Sequence, residues 1–235
     1  MEACRIAGRI PLVPQLAKAC LNYSAHELKT EVAGLHFANP IGLAAGWDKS
    51  GRALRMLDHL GFGFVEVGSI SARLSVGNPK PRLFRLPNDR AIIVNYGLPN
   101  DGAEPFDFVH GFNFNLPMGK PQTLSMTTPQ AIWNTMPGAV AGKPVEQLIN
   151  TCIRELYSRM PRERYVIIGG GGVFHAEDAY HKVRLGASLV QIYSALIYEG
   201  PFVVKQINRG LSALLKRDGF KHVSEAVGTG ISPRD

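Results

Sequence analysis

The sequence predicts an α/β fold, a parallel sheet covered by helices. Three observations carry that prediction. Four short apolar runs stand out: Ile41–Ala45, Phe64–Val67 and Tyr165–Ile168, each ending at a glycine, and Leu189–Ile192, ending at Tyr193-Ser194. Stretches with helical spacing alternate with these runs, the order of a parallel sheet rather than of hairpins. The 235 residues are 45% apolar and 19% charged, enough to build a core and too apolar for a disordered chain. Cys4, Cys20 and Cys152 form no Cys-x-x-Cys pair, which excludes a disulfide framework and a zinc ribbon. No apolar run approaches the ~18 residues of a membrane-spanning helix.

Residues 1–29 read as an N-terminal helical extension, with Ile10, Leu12, Val13, Leu16, Ala17, Cys20 and Leu21 at helical spacing. Pro11 and Pro14 interrupt the apolar stretch, which speaks against a secretory signal. The segment either packs on the body, residues 30–235, or lies on a membrane surface. After the strand at Ile41, Ser50 is expected to cap a helix over Arg52–Leu60 that Gly61 ends. Arg82–Arg85 and Ala91–Val94 read as a hairpin, and Phe112–Asn115 as a further core strand. Pro144 opens a helix over Val145–Met160; further helices follow at Ala176–Leu185 and Pro201–Arg217, closed by Gly186 and Gly219. Five core strands are thus expected.

The strongest chemical signal is the turn Gly169-Gly170-Gly171-Gly172 after the fourth of these strands, followed 22 residues on by Tyr193-Ser194 after the fifth. Glycines let the backbone approach a ligand and aim N–H groups at a phosphate. In α/β barrels the loops after the last two strands commonly form the phosphate site. A plain tight turn is the competing explanation. No Gly-Lys-Ser/Thr follows, so this is not a Walker loop, and Gly-x-Gly-x-x-Gly is absent. The second signal is Ala44-Ala45-Gly46-Trp47-Asp48-Lys49, where small residues at a strand end admit a flat ligand. Lys49 suits an anionic group, or is a surface lysine.

The segments Ile41–Gly51, Gly61–Ser69 and Gly77–Arg82 resemble the dihydroorotate dehydrogenases. So do Gly142-Lys143-Pro144, Ile167–Val173 and Arg184–Tyr193, while the hairpin and Arg217–Phe220 resemble the membrane-associated, quinone-using class. The resemblance implies an FMN-binding (β/α)8 TIM barrel that oxidises dihydroorotate to orotate in pyrimidine biosynthesis. A base removes the C5 proton, hydride passes from C6 to the flavin, and quinone takes the electrons. Carried over by position, Ala44, Ala45, Gly46 and Ser69 line the flavin, Gly142 approaches it, and Gly171, Gly172, Tyr193 and Ser194 hold its phosphate. Lys49 and Asn95 are the corresponding substrate ligands. The resemblance also implies a peripheral inner-membrane location, on the bacterial cytoplasmic face or in mitochondria.

The chain departs from the family in its middle. Asn95-Tyr96-Gly97-Leu98-Pro99-Asn100 stands where the family has Asn-Arg-x-Gly-Phe-Asn, and Ala141 replaces the usual Ser. Between Glu104 and Pro105 nothing matches the family's third, fourth and fifth strands, or the loop that carries the catalytic Ser. Three βα units of ~31 residues amount to ~95 residues, and five strands do not close an eight-stranded barrel. An incomplete barrel is therefore expected, with self-association or a healed gap covering its open edges. A non-catalytic remnant that binds flavin, phosphate or a partner is the second reading. Cys152, inside the expected helix, reads as a core thiol rather than a base. The net charge of +7 is spread along the chain, and with no RNA-binding helical domain visible, no nucleic-acid partner is expected. His110, His175 and His181 have no metal-ligand spacing, so no metal is expected.

Overall fold

The computed structural model describes residues 2–68, 74–97, 99, 120, 124–159 and 166–231. The chain opens with two short helices, α1 (Glu2–Ala7) and α2 (Val13–Leu21), the second carrying Pro14 in its first turn. A small antiparallel hairpin follows, β1 (Thr30–Val32) and β2 (Leu35–Phe37). Next come β3 (Ile41–Leu43), one turn of helix α3 (Leu54–Leu57) and β4 (Phe64–Val65). Three strands of a second sheet are β5 (Leu83–Leu86), β6 (Ala91–Val94) and, after helix α4 (Gln130–Asn134), β7 (Ala139–Gly142). The remainder is α5 (Glu146–Arg159), β8 (Ile168–Gly169), α6 (Ala176–Arg184), β9 (Leu189–Ile192), α7 (Ser194–Glu199) and α8 (Val203–Arg217).

The main sheet has the order β4-β3-β9-β8 with every pair parallel. Its last strand in sequence lies beside its first: Ile41 pairs with Val190 and Leu43 with Ile192. That is the closing pair of a barrel. Among the described residues the sheet stays open, with β4 and β8 at its edges. The expected strand Phe112–Asn115 lies outside the described residues.

Ile41, Leu43, Val190 and Ile192 are buried on the sheet, and Ile207, Leu211 and Leu215 of α8 are buried in the same cluster with Ala179 and Val183 of α6. Each such aliphatic side chain stabilises the fold by about 1.5–3 kcal/mol. The second sheet is antiparallel throughout, β5-β6-β7, and builds its own cluster from Leu86, Ala91, Ile93 and Val140 under Trp133 of α4. Ile149 of α5 packs against both clusters and joins them.

Two sequence expectations need correction. The helix over Arg52–Leu60 shrinks to α3, and Ser50 does not cap it. The buried Asp48 carboxylate instead holds the approach to the helix, accepting from the N–H groups of Arg52 at 3.1 Å and Ala53 at 2.7 Å, both ahead of its first residue. Cys152 is exposed rather than in the core. The face of α5 bearing Ile149, Asn150 and Ile153 turns inward, leaving Cys152 outside with the exposed Leu148 and Leu156. Finally, β7 and α7 were not legible as elements. The first forms only by pairing with β6, and the second is six residues long.

Candidate active site

The carboxyl ends of β3 and β9, the turn after β8 and the end of β7 converge on one cleft of about 330 Å³, counting its open mouth. Its wall includes Ala44, Gly142, Gly171, Gly172, Tyr193 and Ser194, six of the residues the sequence singled out. Ala141, Val173, Phe174, Gln191, Ile192 and Ala195 complete it. Among the described residues no acidic side chain lines it.

The glycine turn is seated on α5. Gly172 has φ +76°, a conformation L side chains rarely adopt, and a Cβ there would stand 2.5 Å from the Glu146 Cβ. Only glycine lets the turn lie this close to the helix. Behind it, the Lys143 ammonium bonds Glu146 at 2.7 Å and Asp178 at 2.9 Å. Asp178 also accepts from the N–H groups of Phe174 (2.9 Å) and His175 (3.0 Å). Burial works to raise the Asp178 carboxyl, but Lys143 and these N–H groups outweigh it and hold it below the usual range. Across the cleft, the first turn of α7 begins at Ser194, with the Leu196 N–H bonded to the Tyr193 carbonyl at 3.1 Å.

The antiparallel sheet closes one side. Gly142, at φ +107°, sits so close to the hairpin that a Cβ would lie 2.4 Å from the Arg90 carbonyl oxygen. The Arg90 guanidinium lies 4.3 Å from the Phe174 ring centre and pairs with Glu199. The Tyr198 hydroxyl donates to the Ala91 carbonyl at 2.6 Å. Three contacts thus fasten the second sheet to α7 and the glycine turn.

Tyr193 links this cleft to the second group of expected residues. The Cβ that Gly46 lacks would lie 3.9 Å from the Tyr193 ring and 3.7 Å from Cε of Lys49. Burial, then the nearby Tyr96 phenol, pushes the Tyr193 hydroxyl well above its ordinary value, so it stays protonated. Lys49 is half-buried and donates to the Gly97 carbonyl at 3.2 Å; burial lowers its pKa. Asn95 is two residues from that carbonyl, and its Oδ1 accepts from Asn78 at 2.9 Å. Ala45, Gly46, Lys49 and Asn95 therefore neighbour the cleft without lining it. Ser69 lies outside the described residues, as does His110. His175 and His181 are exposed, and no cluster of metal-ligating groups occurs among the described residues. Inside the sheet, Gln191 donates to the Glu66 carboxylate at 2.5 Å. Gln191 and Phe174 are wall residues that sequence reasoning missed, because an alternating or apolar run does not say which side chain faces a ligand.

Comparison with known proteins fits this geometry. The profile of the family described as dihydroorotate dehydrogenase matches residues 27–108 and 113–215. The chain belongs to the dihydroorotate dehydrogenase family. A relative from Sphingopyxis alaskensis, named dihydroorotate dehydrogenase (quinone), is 30% identical over 86% of this chain and 86% of its own length. The Mus musculus relative, dihydroorotate dehydrogenase (quinone), mitochondrial, is 29% identical over 97% of this chain and 86% of its own. The Eimeria tenella dihydroorotate dehydrogenase solved with ferulenol superposes with a TM-score of 0.76 at 23% identity, covering 99% of this chain and 96% of that one. It shows the TIM-barrel fold, of which the present sheet is an incomplete form. The Sphingopyxis alignment spans 307 positions, whereas 86% of 235 residues is about 202. About 105 positions of that alignment therefore carry no residue of this chain.

Proposed function

We propose that the cleft is an FMN site, with the phosphate between the glycine turn and the first turn of α7, in a protein descended from enzymes that oxidise dihydroorotate to orotate with quinone as acceptor in de novo pyrimidine biosynthesis. The observation that carries this reading is the convergence of Ala44, Gly142, Gly171, Gly172, Tyr193 and Ser194 on one wall from four separate segments. The donor set suits the group: backbone N–H groups and a serine hydroxyl for a phosphate, and small residues on β3 and β7 where a flat ring needs room. Bound there, FMN supplies the acceptor for the substrate's hydride. Lys49, whose ammonium already sits on a carbonyl beside Tyr193, holds the anionic group of dihydroorotate, and Asn95 donates to it from the end of β6. Tyr193 stays protonated and walls the ring side off from water.

Removal of the C5 proton requires a positioned base, worth roughly 10²–10⁴-fold in rate. The loop that carries it in the family has no counterpart in the sequence. The positions that the Sphingopyxis alignment leaves empty favour a second reading, a remnant that binds flavin or a partner without turnover. A visible absorption spectrum of the purified chain, followed by dihydroorotate under anaerobic conditions, separates the two. A flavin band that bleaches supports the enzyme; a band that does not bleach supports the remnant. A colourless protein that takes up no added FMN overturns the site.

The domain division follows from the same reading: residues 1–29 are an extension on the body 30–235, lying on the inner-membrane surface. Ile6, Ile10, Leu12 and Leu16 are all exposed, and Arg9 and Lys18 are exposed near them. That pattern suits a segment lying in an anionic interface. No described helix is long and apolar enough to cross a membrane.

A further inference from the structure

Among the described residues, one fully buried cation is not used by the proposed chemistry. Lys182 of α6 is fully buried, and its ammonium donates to the Asn150 Oδ1 of α5 at 2.6 Å. Asn150 is itself 4% exposed, and its Nδ2 has no hydrogen-bond partner. The aliphatic stem of Lys182 runs beneath the turn: a Cβ on Gly169 would lie 3.4 Å from Lys182 Cδ and 3.0 Å from Ile153. The two helices that flank the glycine turn are thus tied together directly under its first residue.

The charges around this link balance only when Lys182 is protonated. Glu146 of α5 and Asp178 of α6 are the acids that act on it, and Lys143, before α5, is the other cation. Lys143 already bonds both acids. With Lys182 charged, the four groups sum to zero; with Lys182 neutral, one negative charge is left behind the turn. An anion at the turn is repelled by that excess.

We propose that Lys182 is a positioning residue for anion binding at the glycine turn, holding α6 to α5 beneath Gly169 and cancelling the second carboxylate behind it. This rests on the reading of the turn as the phosphate site. Burial pulls the Lys182 ammonium down to about 8, partly offset by Glu146 and Asp178, so the balance is lost within an accessible pH range. A phosphate monoester has its second pKa near 6, so its own charge changes little above neutrality.

FMN is titrated by fluorescence quenching from pH 7 to 9.5 into the full chain and into K182R and K182M. The wild type is expected to lose about tenfold in affinity across that range. K182R keeps its charge and stays flat near the neutral wild-type value. K182M is flat about tenfold weaker. Lys49 is intact in all three, so any slope it causes is common to them and subtracts. Backbone hydrogen exchange of 170–173 without ligand provides the independent measurement: it speeds up in K182M relative to β3 and not in K182R. If the wild type binds neither FMN nor inorganic phosphate, the phosphate reading falls, and the exchange result alone decides the positioning role. Identical pH profiles in the three proteins together with unchanged exchange overturn the proposal. Should K182M fail to fold, the difference between wild type and K182R still decides it.

Discussion

The Arg90 guanidinium lies over the Phe174 ring, 4.3 Å from its centre, and pairs with Glu199 of α7. One hairpin residue thereby touches both the turn after β8 and the helix after β9. R90A is expected to cost about 1–2 kcal/mol, as the cation–π contact and a partly shielded ion pair go together. It should also weaken FMN binding by opening the side of the cleft that the second sheet closes. Chemical denaturation and flavin titration of the same variant check both.

Gly172 tolerates no side chain. G172A places a Cβ 2.5 Å from Glu146 Cβ in a residue at φ +76°. The combined strain and overpacking is expected to cost about 2–4 kcal/mol, with loss of flavin retention. Adding a methyl at Gly170, which has open space around it, should be far milder.

Lys49 separates substrate from cofactor. K49M should leave FMN affinity near that of the wild type, since the side chain does not line the cleft. It should weaken orotate about 10–100-fold, the loss of one charge-assisted hydrogen bond. Equal loss of both ligands would place Lys49 at the phosphate end instead.

The tie between the N-terminal segment and α8 titrates with acid. Glu27 is buried, accepts from Ser212 and pairs with Lys216 at 2.8 Å. Burial raises its carboxyl, but the hydrogen bonds from Lys216 and Ser212 bring it down to about 2. A carboxyl lowered in the folded state stabilises fully above its unfolded value and loses that contribution as pH falls through the folded one. With screening on the exposed lysine side, E27Q should cost about 1–2 kcal/mol at pH 7. The difference from wild type should shrink through the window from pH 4.5 toward 2. Urea midpoints at pH 7 and pH 3 test it.

Thiol chemistry reads the exterior of α5. Cys152 and Cys20 are exposed, while Cys4 is half-buried and burial raises its thiol. An aromatic disulfide reagent should modify the first two rapidly in the native protein and Cys4 only slowly. Mass spectrometry of the labelled peptides assigns them, and slow labelling of Cys152 would mean that another copy or partner covers this face.

Much of this was written in local sequence. The strand Leu189–Ile192 shows as an apolar run, and helices α6 and α8 show in a helical period that ends at Gly186 and Gly219. The glycine turn and Tyr193-Ser194 are legible as a candidate anion site because their chemistry is local, and the order of runs and turns marks the family.

What the tertiary structure alone decided is non-local. Pairing of β9 with β3, about 150 residues apart in sequence, sets Tyr193 against Gly46 and Lys49. Strand β7 exists because Ala91–Val94 offers an edge to a short Ala-Val-Ala-Gly segment with little signal of its own. Asp48, not Ser50, holds the chain ahead of α3, because its buried carboxylate reaches two N–H groups there, and Cys152 faces out because Ile149 and Ile153 claim the inner side of α5. Periodicity records which residues share a face; which face is buried, and against what, depends on segments far away in the chain.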